Sequence, residues 1–202
     1  QAQVDTLDRD PGISLSAHAV RVIGRCITIG DELSLPEQVG IQGLLGLGAY
    51  FVHSSTMYRA VNYAPRGIEE DVVDFYLYIE QMAFGDIHLN KAILGEYRWH
   101  ELGISKSAAH RDRIERAYQA AFDLAIKLGA NQEVVERSRL KRQMSFAIAA
   151  LVDRRDDKFR QKIRLVGREW LSASMAHRIL SAGRYLVRGW ARDYLVRRFT
   201  GA

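Results

Sequence analysis

The stretch that most narrows the possible folds is SAAHRDRIERAYQAAFDLAIKLG, Ser107 to Gly129. Ile114, Tyr118, Phe122, Ala125 and Leu128 recur at three- and four-residue intervals. A helix collects them on one side and leaves most of the charges on the other. Ser107 supplies a capping hydroxyl, and Gly129 can turn the chain out of the helix. A helix with one apolar stripe must lay that stripe on other elements, so this chain needs a layered core. Its 202 residues suffice for one good core or two small ones.

Most of the remaining pattern is expected to be helical. Residues 1–12 are polar, close on the turn signal Asp10-Pro11-Gly12, and read as a loose arm. From Ile13 to Val20, Ile13, Leu15, Ala17 and Ala19 alternate with Ser14, Ser16 and His18, which is strand period. Gly30 to Gln38 reads as a loop, with Pro36 as a first helical residue. Val39 to Val52 has about the length of a buried helix, and Gly40, Gly43, Gly46 and Gly48 would let a second helix approach closely. Asn62 to Gly67 reads as a loop. Beyond it Ile68, Val72, Phe75, Tyr76, Ile79 and Met82 form a helical stripe, with Glu69, Glu70 and Asp71 complementing the dipole of its first turn. Leu89 to Leu102 reads as a further helix.

Charge divides the chain. Residues 1–132 hold 12 Lys and Arg against 17 Asp and Glu, a net of −5; residues 133–202 hold 17 against 7, a net of +10. The only boundary drawn is therefore near residue 132, between an acidic helical body and a basic region. A basic block of this kind points to a polyanionic partner, most often double-stranded DNA. The plainer alternatives are a solvated basic face, or a patch that pairs with the chain's own acidic part.

Within the basic block, Ser138 to Ser145 can be taken as extended. Arg139, Lys141 and Gln143 then share one face, with Leu140 and Met144 on the other. Arg and Lys suit guanine edges and Gln suits adenine, so these three residues are the candidate base readers. One strand cannot fill a major groove, but a two-stranded ribbon built from two protomers can, which calls for a homodimer. Ser145 could cap a following helix with Ile148, Leu151, Val152, Phe159, Ile163 and Val166, and Ser172 opens a second, striped by Met175, Ile179, Leu186, Trp190 and Tyr194. Strand, helix, turn and helix is the order of a ribbon-helix-helix module. Ser172 and Ser174, at the start of the second helix, would contact phosphate together with Arg142 and Arg178. Two alternatives stay open. The basic run can be one continuous helix from Val134, with Arg137, Lys141 and Arg142 on its basic face. A helix-turn-helix would then use Ser172 to Arg188 for recognition, with Arg178, Arg184 and Arg188 near the backbone. The ribbon can also be Ile13 to Val20, with Ser14, Ser16 and His18 facing out.

Chemistry-bearing motifs point to no enzyme. Of His18, His53, His88, His100, His110 and His177, no two have HxxxH or HExxH spacing. Glu96 and His100, four apart, read as a surface helix pair rather than metal ligands. No serine lies in GxSxG or SxxK, and no glycine pattern cradles a phosphate. Cys26 follows Arg25 but sits among apolar residues, as a buried structural thiol does. A single cysteine gives no disulfide framework and suits a reducing cytoplasm. No apolar run is long enough to suggest a membrane span, and the first residues lack the layout of a signal peptide. Gln1 stands where an initiator Met would be, which reads as a trimmed or processed chain. No cofactor and no small-molecule substrate is expected.

Three segments, HAVRVIGR (His18 to Arg25), GIQGLLGLGAYF (Gly40 to Phe51) and DFYLYIE (Asp74 to Glu80), resemble in order the AcaB-like transcriptional regulators of conjugative plasmids and integrating conjugative elements. The third has Phe75-Tyr76 at the family's aromatic position, is one residue short before Glu80, and lacks the usual Asp-Pro-Tyr lead-in. The resemblance implies a homodimeric, ribbon-helix-helix regulator of transfer genes. The expected architecture is thus mainly α: a helical body over residues 1–132 with a short β-ribbon and a ribbon-helix-helix-like module over residues 133–202. An adaptor or conjugation-apparatus component, docking an acidic protein through the same basic face, is the competing reading.

Overall fold

The computed structural model describes residues 1–24, 27–60, 73–98 and 110–152, and the structural statements below concern those residues. The chain divides into two compact units, Gln1–Arg142 and Gln143–Ala202. The charge boundary near residue 132 falls instead at the start of a helix.

The first unit is built on a mixed sheet, which corrects the expectation of a mainly helical body with a ribbon. Its centre is β1 (Ile13–Ile23), whose alternation did indicate a strand. β1 runs parallel to β5 (Asp86–Arg98), from Ile13 opposite Asp86 to Ile23 opposite Arg98. Its other edge pairs antiparallel with β2 (Thr28–Ile29) and with β4 (Thr56–Tyr58). β3 (Gln38–Val39) extends the sheet beyond β5 through Gln38–His88 and Val39–Ile87 pairs. Parallel neighbours need a long crossover. The chain between β1 and β5 includes α2 (Ile41–Leu47) and α3 (Asp74–Gln81). With partners on both edges and Ser14 and Ser16 fully buried, β1 cannot serve as the alternative exposed ribbon.

Two further expectations change for visible reasons. Residues 1–12 are not a loose arm: Ala2–Arg9 forms α1. Leu7 is buried, Gln3 Nε2 donates to the carbonyls of Ser16 (2.7 Å) and Ser55 (2.9 Å), and the Arg59 guanidinium donates to the carbonyls of Leu7 and Asp10. Leu89 to Arg98 is strand, not helix. Its alternation is hidden by a bulge: His18 faces Asn90, but the next residue, Ala19, faces Ile93. Asn90 Oδ1 accepts from the Ala92 N–H (2.9 Å) inside that bulge, which breaks the two-residue period. Glu96 therefore sits on a strand, and His100 lies outside the described residues. Pro36 leads into β3, not into a helix.

Two glycines make the closest approaches. Gly85 has φ +149°, and a Cβ there would lie 2.3 Å from the Gly12 carbonyl oxygen, where β1 and β5 begin side by side. A Cβ on Gly43 would lie 2.2 Å from Val39 Cγ2, so this glycine lets α2 settle on β3 instead of on a second helix.

Leu15, Ala17, Ile87 and Leu89 of the sheet meet Leu44 and Leu45 of α2 and Phe75, Tyr78 and Ile79 of α3 in one core. Ala121, Phe122 and Ala125 of α4 (Arg111–Lys127) join them, as the stripe of this helix required. Ser107, its expected cap, is outside the described residues. Gly129 (φ +85°) does end the helix, and the Ala130 N–H closes back on the Ala125 carbonyl at 2.9 Å. Glu69, Glu70 and Asp71 are outside the described residues. Of the segments His18 to Arg25, Gly40 to Phe51 and Asp74 to Glu80, most described residues lie in β1, α2 and α3, and each segment contributes buried apolar side chains.

Candidate functional site

The basic run Ser138 to Ser145 lies inside one helix, α5 (Gln132–Val152). The ribbon reading is thereby corrected, along with the ribbon-helix-helix order that depended on it and the role of Ser145 as a cap. The cap is Asn131, whose Oδ1 accepts from the N–H groups of Glu133 (2.9 Å) and Val134 (3.2 Å). The inward stripe of α5 in the first unit is Val135, Ser138, Arg139 and Arg142, at helical spacing. Val135 and Ser138 are buried, while Arg139, Leu140 and Arg142 are all half-buried. Two of the four inward residues are arginines, which is why the periodicity looked like strand.

Those arginines are held by side chains of α4. Arg139, 19% exposed, donates to Asp123 Oδ1 (2.9 Å) and to Glu136 Oε1 (2.6 Å), and its guanidinium carbon lies 5.8 Å from the centre of the Phe122 ring. The Arg142 guanidinium lies 4.0 Å from the centre of the Tyr118 ring. The i,i+4 pair Tyr118–Phe122 thus offers two aromatic faces, and the i,i+3 pair Arg139–Arg142 covers them. Burial pushes the Tyr118 phenol pKa up, Arg142 acts in the opposite sense, and Asp74 adds to the rise. Lys141 donates to the Gly46 carbonyl (3.0 Å) at the end of α2, where a cation suits the helix terminus. Gln143, which belongs to the second unit, has a buried Oε1 that no hydrogen bond reaches among the described residues.

Sequence reasoning named Arg139, Lys141, Gln143 and Arg142 as DNA contacts, and the structure places all four on α5. Arg139, Lys141 and Arg142 each engage groups of the first unit. Ser172, Ser174 and Arg178, like Arg184 and Arg188, lie outside the described residues. What the sequence reading missed is the set of partners: Asp123, Glu136, Tyr118 and Phe122. The available signal was the aromatic pair one turn apart on α4, followed by an acid at 123.

A second polar group lies where the 3₁₀ turn His53–Ser55 meets α3. The Tyr78 hydroxyl and His53 Nδ1 are 3.4 Å apart, and Asp74 Oδ1 is 3.9 Å from the same nitrogen. Burial above all, then the Asp74 charge and Tyr118, push the Tyr78 phenol pKa well above its usual value. Tyr78 thus remains a hydroxyl that can donate to the imidazole. Gln81, also buried in this narrow cleft, has an Oε1 without a partner among the described residues. On β1 and β5, Ser16 Oγ and His88 Nδ1 are 3.5 Å apart, but Ser16 is fully buried and unavailable as a nucleophile. Burial pushes the His88 pKa down, against weaker upward pulls from Glu37 and Asp10. These contacts join elements of the fold. Among the described residues no three His, Cys, Asp or Glu side chains are placed to hold a metal ion, and no helix is long and apolar enough to cross a membrane.

The chain matches no protein-family model, no curated protein and no solved structure.

Proposed function

We propose that the chain is a DNA-binding transcription regulator whose main nucleic-acid contacts come from residues 143–202. The carrying observation is the charge of that stretch. It holds 13 Lys and Arg against 5 Asp and Glu, a net of +8, while residues 1–142 hold 16 against 19. A polyanion is the partner that such a surplus attracts most strongly. Arg178, Ser172 and Ser174 remain the phosphate contacts in this reading. The three segments resembling AcaB-like regulators support the regulatory role, a cytoplasmic setting and a homodimer.

Fluorescence anisotropy of the full chain on a mixed-sequence duplex, repeated over a range of KCl concentrations, tests the reading. Binding that weakens steeply and linearly on logarithmic axes is expected. Selection from a random DNA pool should then return a symmetric site if a homodimer reads it.

A second reading has one observation of its own. Arg139 and Lys141 engage a carboxylate and a carbonyl of protein, the kind of contact an adaptor's basic face would make with an acidic partner. No retardation of DNA at low salt would put this reading first.

A further inference from the structure

We propose that Arg139 is a phosphate-binding residue held in reserve by Asp123 and Glu136, and that nucleic acid competes with these two carboxylates for its guanidinium. The inference rests on the reading of the chain as a nucleic-acid binder. Its geometric basis is the α4–α5 pair alone.

Three features carry it. Both clamping carboxylates are half-exposed, at 54% for Asp123 and 44% for Glu136, so solvent and competing anions reach them. Asp123 Oδ1 also accepts from Gln119 Nε2 at 3.2 Å, so the carboxylate keeps a partner when the arginine leaves. The Arg139 side chain itself is 19% exposed, so an anion can reach it beside the two carboxylates. A guanidinium binds carboxylate and phosphate through the same planar donor geometry. A phosphodiester therefore replaces Asp123 in kind, and the Phe122 ring can keep supporting the cation. The two carboxylates lower affinity in the resting protein by occupying a residue that would otherwise meet the backbone.

The test uses the full chain and a fluorescein-labelled mixed-sequence duplex, with wild type, Asp123→Asn, Glu136→Gln, Arg139→Gln and the double variant Asp123→Asn/Arg139→Gln. Asp123→Asn is expected to tighten binding about two- to fivefold, the weight of an exposed ion pair. It should also steepen the salt dependence by roughly 0.9 in slope, the signature of one added phosphate contact. Glu136→Gln should act in the same direction. The gain must vanish in the double variant. If it persists without Arg139, or if neither single variant tightens binding, the proposal is overturned while DNA binding stands. If no protein in the set binds DNA, both this inference and the function it rests on are overturned. Wild type failing where Asp123→Asn binds would support the clamp at its strongest.

Discussion

Two short runs in this chain show the same alternation and fold in opposite ways. Ile13 to Val20 becomes the central strand of a sheet, whereas Ser138 to Ser145 lies within a helix. In the first run the inward residues include Leu15 and Ala17, and the intervening Ser14 and Ser16 are fully buried as well, with Ser14 Oγ donating to the Gly85 carbonyl. In the second, the apparent polar face includes Arg139, which points inward beside Arg142. Alternation thus reports a strand only when the hydrophobic class is assigned correctly, and an arginine over an aromatic ring belongs with the inward class.

The contrast can be tested by substitution. The largest effect is expected from Phe122→Ala, which removes a fully packed ring and the face beneath Arg139. Urea unfolding should show a loss of about 3–5 kcal/mol. Gly85→Ala attacks the strand side instead, forcing a Cβ against the Gly12 carbonyl at a positive φ. A loss of about 2–3 kcal/mol is expected from such backbone strain, and a value near zero would show that the β1–β5 entrance can relax. Asn131→Ala removes the cap that makes the second run helical and should lower stability by about 1 kcal/mol. Arg142→Leu sharpens the comparison most directly. If Arg142 serves as a member of the inward stripe, leucine should change stability by less than about 1 kcal/mol, since an apolar residue of similar volume often replaces a partly buried charge at little cost. Arg142→Asp should be clearly worse.

The smallest effect concerns pH. The folded-state pKa of His88 is lowered by burial, so its neutral form is the one that folding favours. Its contribution is fully present above the ordinary histidine range near 6.5 and is lost as pH falls toward the lower folded value. Thermal melts between pH 7.5 and 5 should fall less steeply for His88→Gln than for wild type.

Much of the first unit was legible where one period held without interruption. The α4 stripe at Tyr118, Phe122 and Ala125 and the β1 alternation both led to the right element, and Gly129 marked the right ending. The helix of Asp74–Gln81 was legible through Phe75 and Ile79. β5 was not, because Ile93 and Leu94, at its irregular stretch, are exposed apolar residues that blur the alternation begun by Ile87 and Leu89. α1 was not, because its stability comes from Arg59 and from Ser16 and Ser55, far away in sequence. The candidate site failed in the same manner: Arg139 and Arg142 were visible, but Asp123, Tyr118 and Phe122 become their partners only once α4 and α5 fold together.

The parallel pairing of β1 with β5 also sets an order of assembly. Ser16 and His88, neighbours across the ladder, are 72 residues apart. The α4–α5 hairpin, by contrast, closes over the few residues from Leu128 to Asn131. On a growing polypeptide, β1 leaves the ribosome long before the strand that completes it, and its apolar face and open edge must wait through the synthesis of all that lies between. A chain arrested before residue 86 would carry one edge of β1 unpaired, so the point of greatest exposure to misassembly lies where β1 meets β5.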